Sequence, residues 1–416
     1  MKVLIVGGGG REHALAWRIA QSPAVERVFA VPGNPGIARV AECMSAGDGS
    51  PAAYLAIAES VDADLTVVGP EAPLVAGIVD LFRARGRAVF GPTAAAARLE
   101  GSKIFAKNFL LQSKIPTAAF VSARDAAAAR RALDQFSYPV VIKSDGLAAG
   151  KGVVIAENLS AAGAALESLK PPFVIEEFLC GEEVSYIVLS DGRNVVPLAP
   201  TQDHKAVFDH DAGPNTGGMG AYCDSRILTA DESDKILDRI IRPTIEATGF
   251  TGFLYAGLMM TRDGPKVLEF NVRLGDPETQ PLMHRLRTDL APLLLDAAHG
   301  ALPAAHLEWN PGPSVCVVLA SGGYPGAFAA GKAIRGIDAA EAIGATVFHA
   351  GTRMGANGFE TAGGRVLGVT ASGPDLAAAI DNAYAAARLI HFDGMHYRTD
   401  IGQKGLRRYN ENVAGT

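Results

Sequence analysis

Over its first hundred residues the chain alternates short β-branched runs with amphipathic, alanine-rich stretches: a strand at 3–6, a helix at 11–21, a strand at 28–31, a helix from 51, a strand at 65–68, a helix from 73 and a strand at 88–90. Strands separated by helix-length segments pair in parallel, because a parallel neighbour needs a crossover connection. Residues 1–101 are therefore expected to form a doubly wound α/β domain. Beyond a helix starting at Ser102 and ending before Pro116, the texture changes to short paired strands. Residues 121–187 predict an α+β subdomain, with helices at 124–135 and 160–168 and strands at 140–143, 152–156 and 173–177. Residues 102–120 and 188–320 make a central domain with a helix at 230–247, strands at 255–261 and 266–271, and a loop at 201–221 expected to lack regular structure. Residues 321–416 read as a further αβ unit.

With 48% hydrophobic and 20% charged residues in 416, the chain is globular and has material for several cores. Lysine and arginine number 38 against 44 acids, a net charge of −6, and no basic run stands out. Nucleic acid and membrane are thereby disfavoured as partners. The opening apolar run is too short for a signal peptide and no stretch approaches membrane-span length, so the expected compartment is the cytoplasm. Cys43, Cys180, Cys223 and Cys316 are far apart, without zinc-ligand spacing, and read as reduced and structural.

Gly7-Gly8-Gly9-Gly10 follows the first strand, where a dinucleotide-binding loop would lie. Two features oppose that reading. The third fingerprint position is Glu12, whose carboxylate would crowd the packing and repel a phosphate, and the second strand ends without an acid for a ribose hydroxyl. A single phosphate on these amides, or a tight turn alone, stays open. Glu71, in the turn after the third strand, faces the same rim.

The segment from Lys143 through Gly146, Gly150 and Lys151 to Ile155 is not a Walker loop, since only three residues separate its glycines and a β-branched run follows. Strand, glycine loop, strand describes a hairpin whose amides close over phosphates, with Lys143 and Lys151 neutralising them. The run from Phe173 delivers Glu176, Glu177, Leu179 and Glu183, which offer hydrogen bonds and an apolar surface to a nucleoside. In 266–273 the two-residue period of a strand puts Glu269, Asn271 and Arg273 on one face and Leu268, Phe270 and Val272 on the other. Glu269 and Asn271 are hard oxygen ligands suited to Mg²⁺, and Arg273 suits a phosphoryl group in transfer. In the glycine-rich loop, Asp203 suits an amino group and Lys205 a carboxylate or acyl phosphate.

Together, Gly7–His13, residues 68–71, Ser102-Lys103, the 143–155 loop, Glu176–Leu179, Gln202–Lys205, Asn215–Gly220 and Glu269–Glu278 resemble the ATP-grasp superfamily, and within it the glycinamide ribonucleotide synthetases of purine biosynthesis. The resemblance runs end to end. It implies a pre-ATP-grasp domain, a flap subdomain, a central domain clasping ATP and a small C-terminal domain. It also implies a ligase reaction in which ATP, glycine and 5-phosphoribosylamine give ADP, phosphate and N1-(5-phosphoribosyl)glycinamide, with Mg²⁺ or Mn²⁺, by a monomer or weak dimer. On that resemblance Lys103, Lys143, Gly146, Gly150 and Lys151 contact phosphates, and Glu176, Glu177, Leu179 and Glu183 the nucleoside. Glu269 and Asn271 would hold the metal, and Arg273, Asp203 and Lys205 the glycyl phosphate. Gly9, Glu12, Asn34, Glu71, Asn215 and Gly218 would hold the substrate. The segment after 320 either completes the nucleotide cleft or supports the N-terminal domain. Three rivals remain: a carboxylating or formylating relative, a nicotinamide oxidoreductase, and an ATP-sensing module that would not need Arg273.

Overall fold

The computed structural model describes residues 1–147, 152–304 and 306–414. Its first hundred residues build a five-stranded, wholly parallel sheet in the order Glu42–Cys43, Arg27–Pro32, Lys2–Gly7, Leu65–Val68, Val89–Phe90. The order reverses beside Lys2–Gly7, which puts a crevice at the carboxyl ends of the strands. The helix expected from 73 starts at Glu71 and is interrupted at Gly77, whose left-handed φ of 85° begins a second helix, Ile78–Ala84.

A four-stranded antiparallel sheet follows, ordered Phe120–Ala123, Phe173–Glu177, Val140–Ser144, Val153–Ala156. The helices Ala126–Leu133 and Leu159–Ser168 cover it, each N-capped by an Asp125 or Asn158 side chain, and the unit has its own apolar core around Ile142, Phe173 and Ile175.

The central and final segments share one larger sheet. It runs Gly264–Asn271, Thr251–Thr261, Glu182–Asp191, Thr201–Asp203, Gly220–Cys223, Ser314–Ser321, Arg365–Ser372, Thr346–His349. Every pairing along it is antiparallel. The helix expected at 230–247 is present but widens into a π turn at Leu237–Ile241, because Pro243 lacks an amide and its ring cannot sit against the carbonyl four residues back.

The stretch 201–221 is the clearest departure from expectation. It holds strands Thr201–Asp203, Ala206–Phe208, Ala212–Asn215 and the start of Gly220–Cys223, so most of it is regular. The cysteines form no disulfide; Cys223 and Cys316 are buried, but Cys180 is exposed and so has no packing role. No helix among the described residues is long and apolar enough to cross a membrane.

The final segment contacts both the N-terminal unit and the central cavity. The His349 amide donates to Nδ1 of His13 at 2.7 Å and its carbonyl accepts from Asn34 at 2.8 Å, which fixes the N-terminal unit. Arg365 meanwhile reaches into the cleft described next.

Candidate active site

The strand Gly264–Asn271 forms one wall of a cavity of about 410 Å³ between the central sheet and the four-stranded unit. Its pairing with Thr251–Thr261 slips by one residue: Glu269 faces Gly257, whereas Val267 already faces Leu258. Leu268 is the extra residue of this bulge. The strict alternation expected there therefore fails at Leu268, which lines the cavity with Glu269, Asn271 and Arg273 while Val267, Phe270 and Val272 go into the core.

Opposite this wall, Glu176 lies at the base, its side chain 2% exposed. Lys143 Nζ approaches its Oε1 at 3.0 Å and Lys107 Nζ its Oε2 at 2.8 Å. Lys143 also donates to the carbonyl of Leu268 at 3.1 Å, tying the two walls together. Burial lowers the Lys107 ammonium to about 8 in spite of Glu176. Glu177 Oε1 accepts the Ala119 amide at 2.9 Å, and Leu179, Phe178, Ile155 and Met259 give this end an apolar lining. Glu183 opens onto the cavity; desolvation, with the charges of Asp203 and Glu269, raises its carboxyl above the usual range despite Lys205.

At the other end Lys205 Nζ stands 3.4 Å from Asp203 Oδ2 and 3.9 Å from Glu269 Oε1. Partial burial opposes its charge, but Asp203, Tyr255, Glu269 and Glu183 hold the ammonium well above its ordinary value. Burial would raise Glu269, and Lys205, Lys143 and Lys103 more than offset it, leaving the carboxylate ionised. Arg273 does not project freely. Its guanidinium meets Glu100 at 2.7 Å, Asn271 Oδ1 at 3.1 Å and Glu71 at 3.3 Å. Glu71 is thus an ion-pair partner of Arg273 as well as a residue of the cavity wall.

Of the nine other assigned residues, three line a cavity. Asn215 lines the main cavity, and Lys103 and Gly146 line a second one of about 120 Å³ that shares Lys143, Glu269, Asn271 and Arg273 with it. Lys103 donates to the Gly146 carbonyl at 2.8 Å. Gly150 and Lys151 lie outside the described residues. Four assigned residues do not line either cavity: Gly9, Glu12, Asn34 and Gly218. Glu12 turns beneath its own loop, accepting the Gly9 amide at 2.6 Å and Arg11 Nε at 2.6 Å. Asn34 uses its whole amide on Gly8, Gly36, Ile37 and His349. Gly218, at φ 116°, packs where a Cβ would stand 2.4 Å from Pro277.

Sequence reasoning missed Lys107, Glu100, Arg11, Tyr255 and Arg365. Tyr255 donates to Glu278 Oε1 at 2.6 Å, and Arg365 holds Asp276 at 3.2 Å and the Gly217 carbonyl at 2.7 Å. Only Lys107 left a local signal: it sits one turn after Lys103 on the helix Lys103–Gln112.

A nucleotide-sized cleft, apolar at one end, charged at the other and clasped between an antiparallel sheet and a small lysine-bearing subdomain, defines an ATP-grasp ligase. The chain belongs to the phosphoribosylglycinamide synthetase family. The N domain of that family matches residues 1–100, its ATP-grasp (A) domain 101–279 and its C domain 314–404. The phosphoribosylamine–glycine ligase of Pseudomonas aeruginosa is 50% identical over 98% of this chain and 99% of its own. That of Escherichia coli K12 is 49% identical, again over 98% and 99%. The crystal structure of the Thermotoga maritima phosphoribosylamine–glycine ligase superposes with a TM-score of 0.83 at 34% identity, covering 96% of this chain and all of that one.

Proposed function

We infer that this chain uses ATP to join glycine to 5-phosphoribosylamine through glycyl phosphate, giving N1-(5-phosphoribosyl)glycinamide, ADP and phosphate for purine biosynthesis. The observation that carries the reading is the convergence of Glu269, Asn271, Arg273, Asp203 and Lys205 on one end of a cavity whose other end is apolar. A carboxylate is a poor electrophile. In the proposed route a glycine carboxylate oxygen attacks the γ-phosphorus of ATP, the bond to ADP breaks, and the amine then attacks the glycyl carbonyl and expels phosphate.

The described residues take roles that their surroundings support, and Lys151, outside them, takes its role from the family resemblance alone. Leu179, Phe178 and Ile155 receive the adenine ring, Glu177 and Glu183 the polar edges of the nucleoside, and Lys103, Lys143 and Lys151 the phosphates. Asp203 holds the glycine ammonium. Lys205, kept charged by its neighbours, holds the carboxylate and then the acyl phosphate. Arg273, fixed by Glu100 and Glu71, faces the transferring phosphoryl group without reorganising. The pair of strands Val140–Ser144 and Val153–Ala156 shields the anhydride from water.

The oxygen-only donors Glu269 and Asn271 fit Mg²⁺ or Mn²⁺, and Glu269 is ionised and open to the cleft. Two protein oxygens would leave the remaining positions of such an ion to phosphate and water, as Mg²⁺ favours. When bound, the ion supplies charge neutralisation at the phosphates. Gly9 and Glu71 remain the proposed phosphoribosylamine side, where Glu12 and Asn34 would act by shaping the loops; Asn215 lies on the glycine side beside Lys205, with Gly218 shaping its loop.

The test is phosphate release from Mg-ATP with glycine, with and without freshly made phosphoribosylamine, with the amide product followed by mass. Release that requires both and yields the glycinamide supports the reading; tight ATP binding without release under those conditions overturns the substrates.

A further inference from the structure

The hairpin that presents Asn215 beside Lys205 is hydrogen-bonded to the sheet it leaves at its base, where the His204 amide donates to Gly220 and the Met219 amide to His204, and beyond that base it stands apart from the sheet. Its strands Ala206–Phe208 and Ala212–Asn215 form a two-stranded sheet of their own, and their register is irregular. Between them His210 and Asp211 adopt φ of 60° and 57°, the left-handed region that side chains rarely occupy. Asp and His enter that region more readily than most residues, but two in succession are costly enough to need support from their surroundings.

One short stretch near the C-terminus supplies that support. Arg398, wholly buried, donates from Nη1 to the Ala206 carbonyl and to Asp211 Oδ1, both at 3.1 Å. Lys404 reaches the other Asp211 oxygen at 2.6 Å. Asp400 orients Arg398 at 2.7 Å and accepts the His210 amide at 2.9 Å, and the Thr399 amide donates to Asp209 at 2.8 Å. Both left-handed residues are thus gripped from residues 398–404. The effect reaches the cavity through one peptide: Ala206 follows Lys205, whose carbonyl accepts both the amide and the hydroxyl of Thr216 at 2.8 Å.

We propose that residues 398–404 form a latch that sets the position of Lys205 and Asn215, with Arg398 as its positioning residue. Arg398 touches no reacting atom and acts through Lys205. The inference rests on the reading that Lys205 faces glycine. It assigns a specific duty to the end of the chain: alignment of the glycine side of the cleft and not of the nucleotide side.

The test uses the full chain with Asp211→Ala, an exposed position that leaves the core intact, beside Arg398→Ala and Arg398→Lys. Hydrogen exchange should speed up about tenfold across 206–215 in Asp211→Ala and stay unchanged across 251–271. The KM for glycine should rise about fivefold or more with the KM for ATP within about twofold. Arg398→Ala should exceed both effects, and Arg398→Lys should recover part of them. Unchanged exchange at 206–215, or equal rises in both KM values, overturns the latch. A wild-type enzyme that releases no phosphate with glycine and phosphoribosylamine together sinks the substrate reading instead, and the exchange rates then decide the latch alone.

Discussion

Lys107 Nζ lies 2.8 Å from Glu176 Oε2, with both side chains almost wholly out of water. Lys143 holds the other oxygen at 3.0 Å, so Lys107→Met would leave Glu176 with one of its two cations and should cost about 2 kcal/mol of stability in urea unfolding. Glu176→Gln should cost more, about 3 kcal/mol or above, because it removes the counter-charge that both buried lysines share. A Lys107→Met variant as stable as wild type would mean that Lys107 does not help to balance Glu176.

Glu269 combines an ionised carboxylate with access from the cleft, its side chain 39% exposed, and it makes no contact the fold depends on. Glu269→Ala is expected to lower turnover by about a hundredfold or more at saturating magnesium, the scale on which a lost stabiliser of developing charge is felt. Its unfolding midpoint should match wild type. Normal turnover in saturating magnesium would remove Glu269 from the metal assignment.

Local patterns carried much of this molecule. The β-branched runs of the first hundred residues placed four of the five parallel strands to within a residue or two, since a strand buried on both faces needs such runs, while the two-residue edge strand Glu42–Cys43 has no such run and was missed. The polar face of Glu269, Asn271 and Arg273 was legible from a period of two. What stayed hidden depends on distant partners. Leu268 turns to the cleft because the opposing strand slips at Gly257, and nothing within 264–271 announces that. The strands within 201–223 are three or four residues long, too short for alternation to show against so many glycines. Arg365 enters the cleft from a strand almost 90 residues beyond Asp276, and Glu100 finds Arg273 across 173 positions.

Three buried histidines and one part-buried histidine make stability sensitive to mild acid. Desolvation pulls His13 down to about 3 and His204, His284 and His349 to about 4, from an ordinary 6.5. As pH falls below 6.5, unfolded imidazoles take up protons that the folded ones refuse. Their contribution is therefore complete above that value and drains away toward pH 4, by up to about 1.4 kcal/mol per pH unit for each histidine. Urea unfolding at pH 7 and pH 5 should show the loss, and His349→Asn should reduce its slope by one histidine's share. Equal stability at the two pH values would mean these rings are not held neutral.

Gly69 gives the last prediction, because it tests what fills the glycine loop. A Cβ there would stand 2.1 Å from Glu12 Oε1 and 2.5 Å from its Cγ. Glu12 cannot swing aside cheaply: it is 2% exposed and held by the Gly9 amide and Arg11. Gly69→Ala should therefore cost about 2 kcal/mol through overpacking. Glu12→Ala should also cost about 2 kcal/mol, by leaving the part-buried Gly9 amide and Arg11 Nε without their acceptor. In the double variant the methyl enters space that the carboxylate has vacated, so the combined loss should fall short of the sum by about 1 kcal/mol or more. Simple additivity in urea unfolding would mean that Glu12 does not occupy the place beneath Gly69, and the loop would again be free to receive a phosphate.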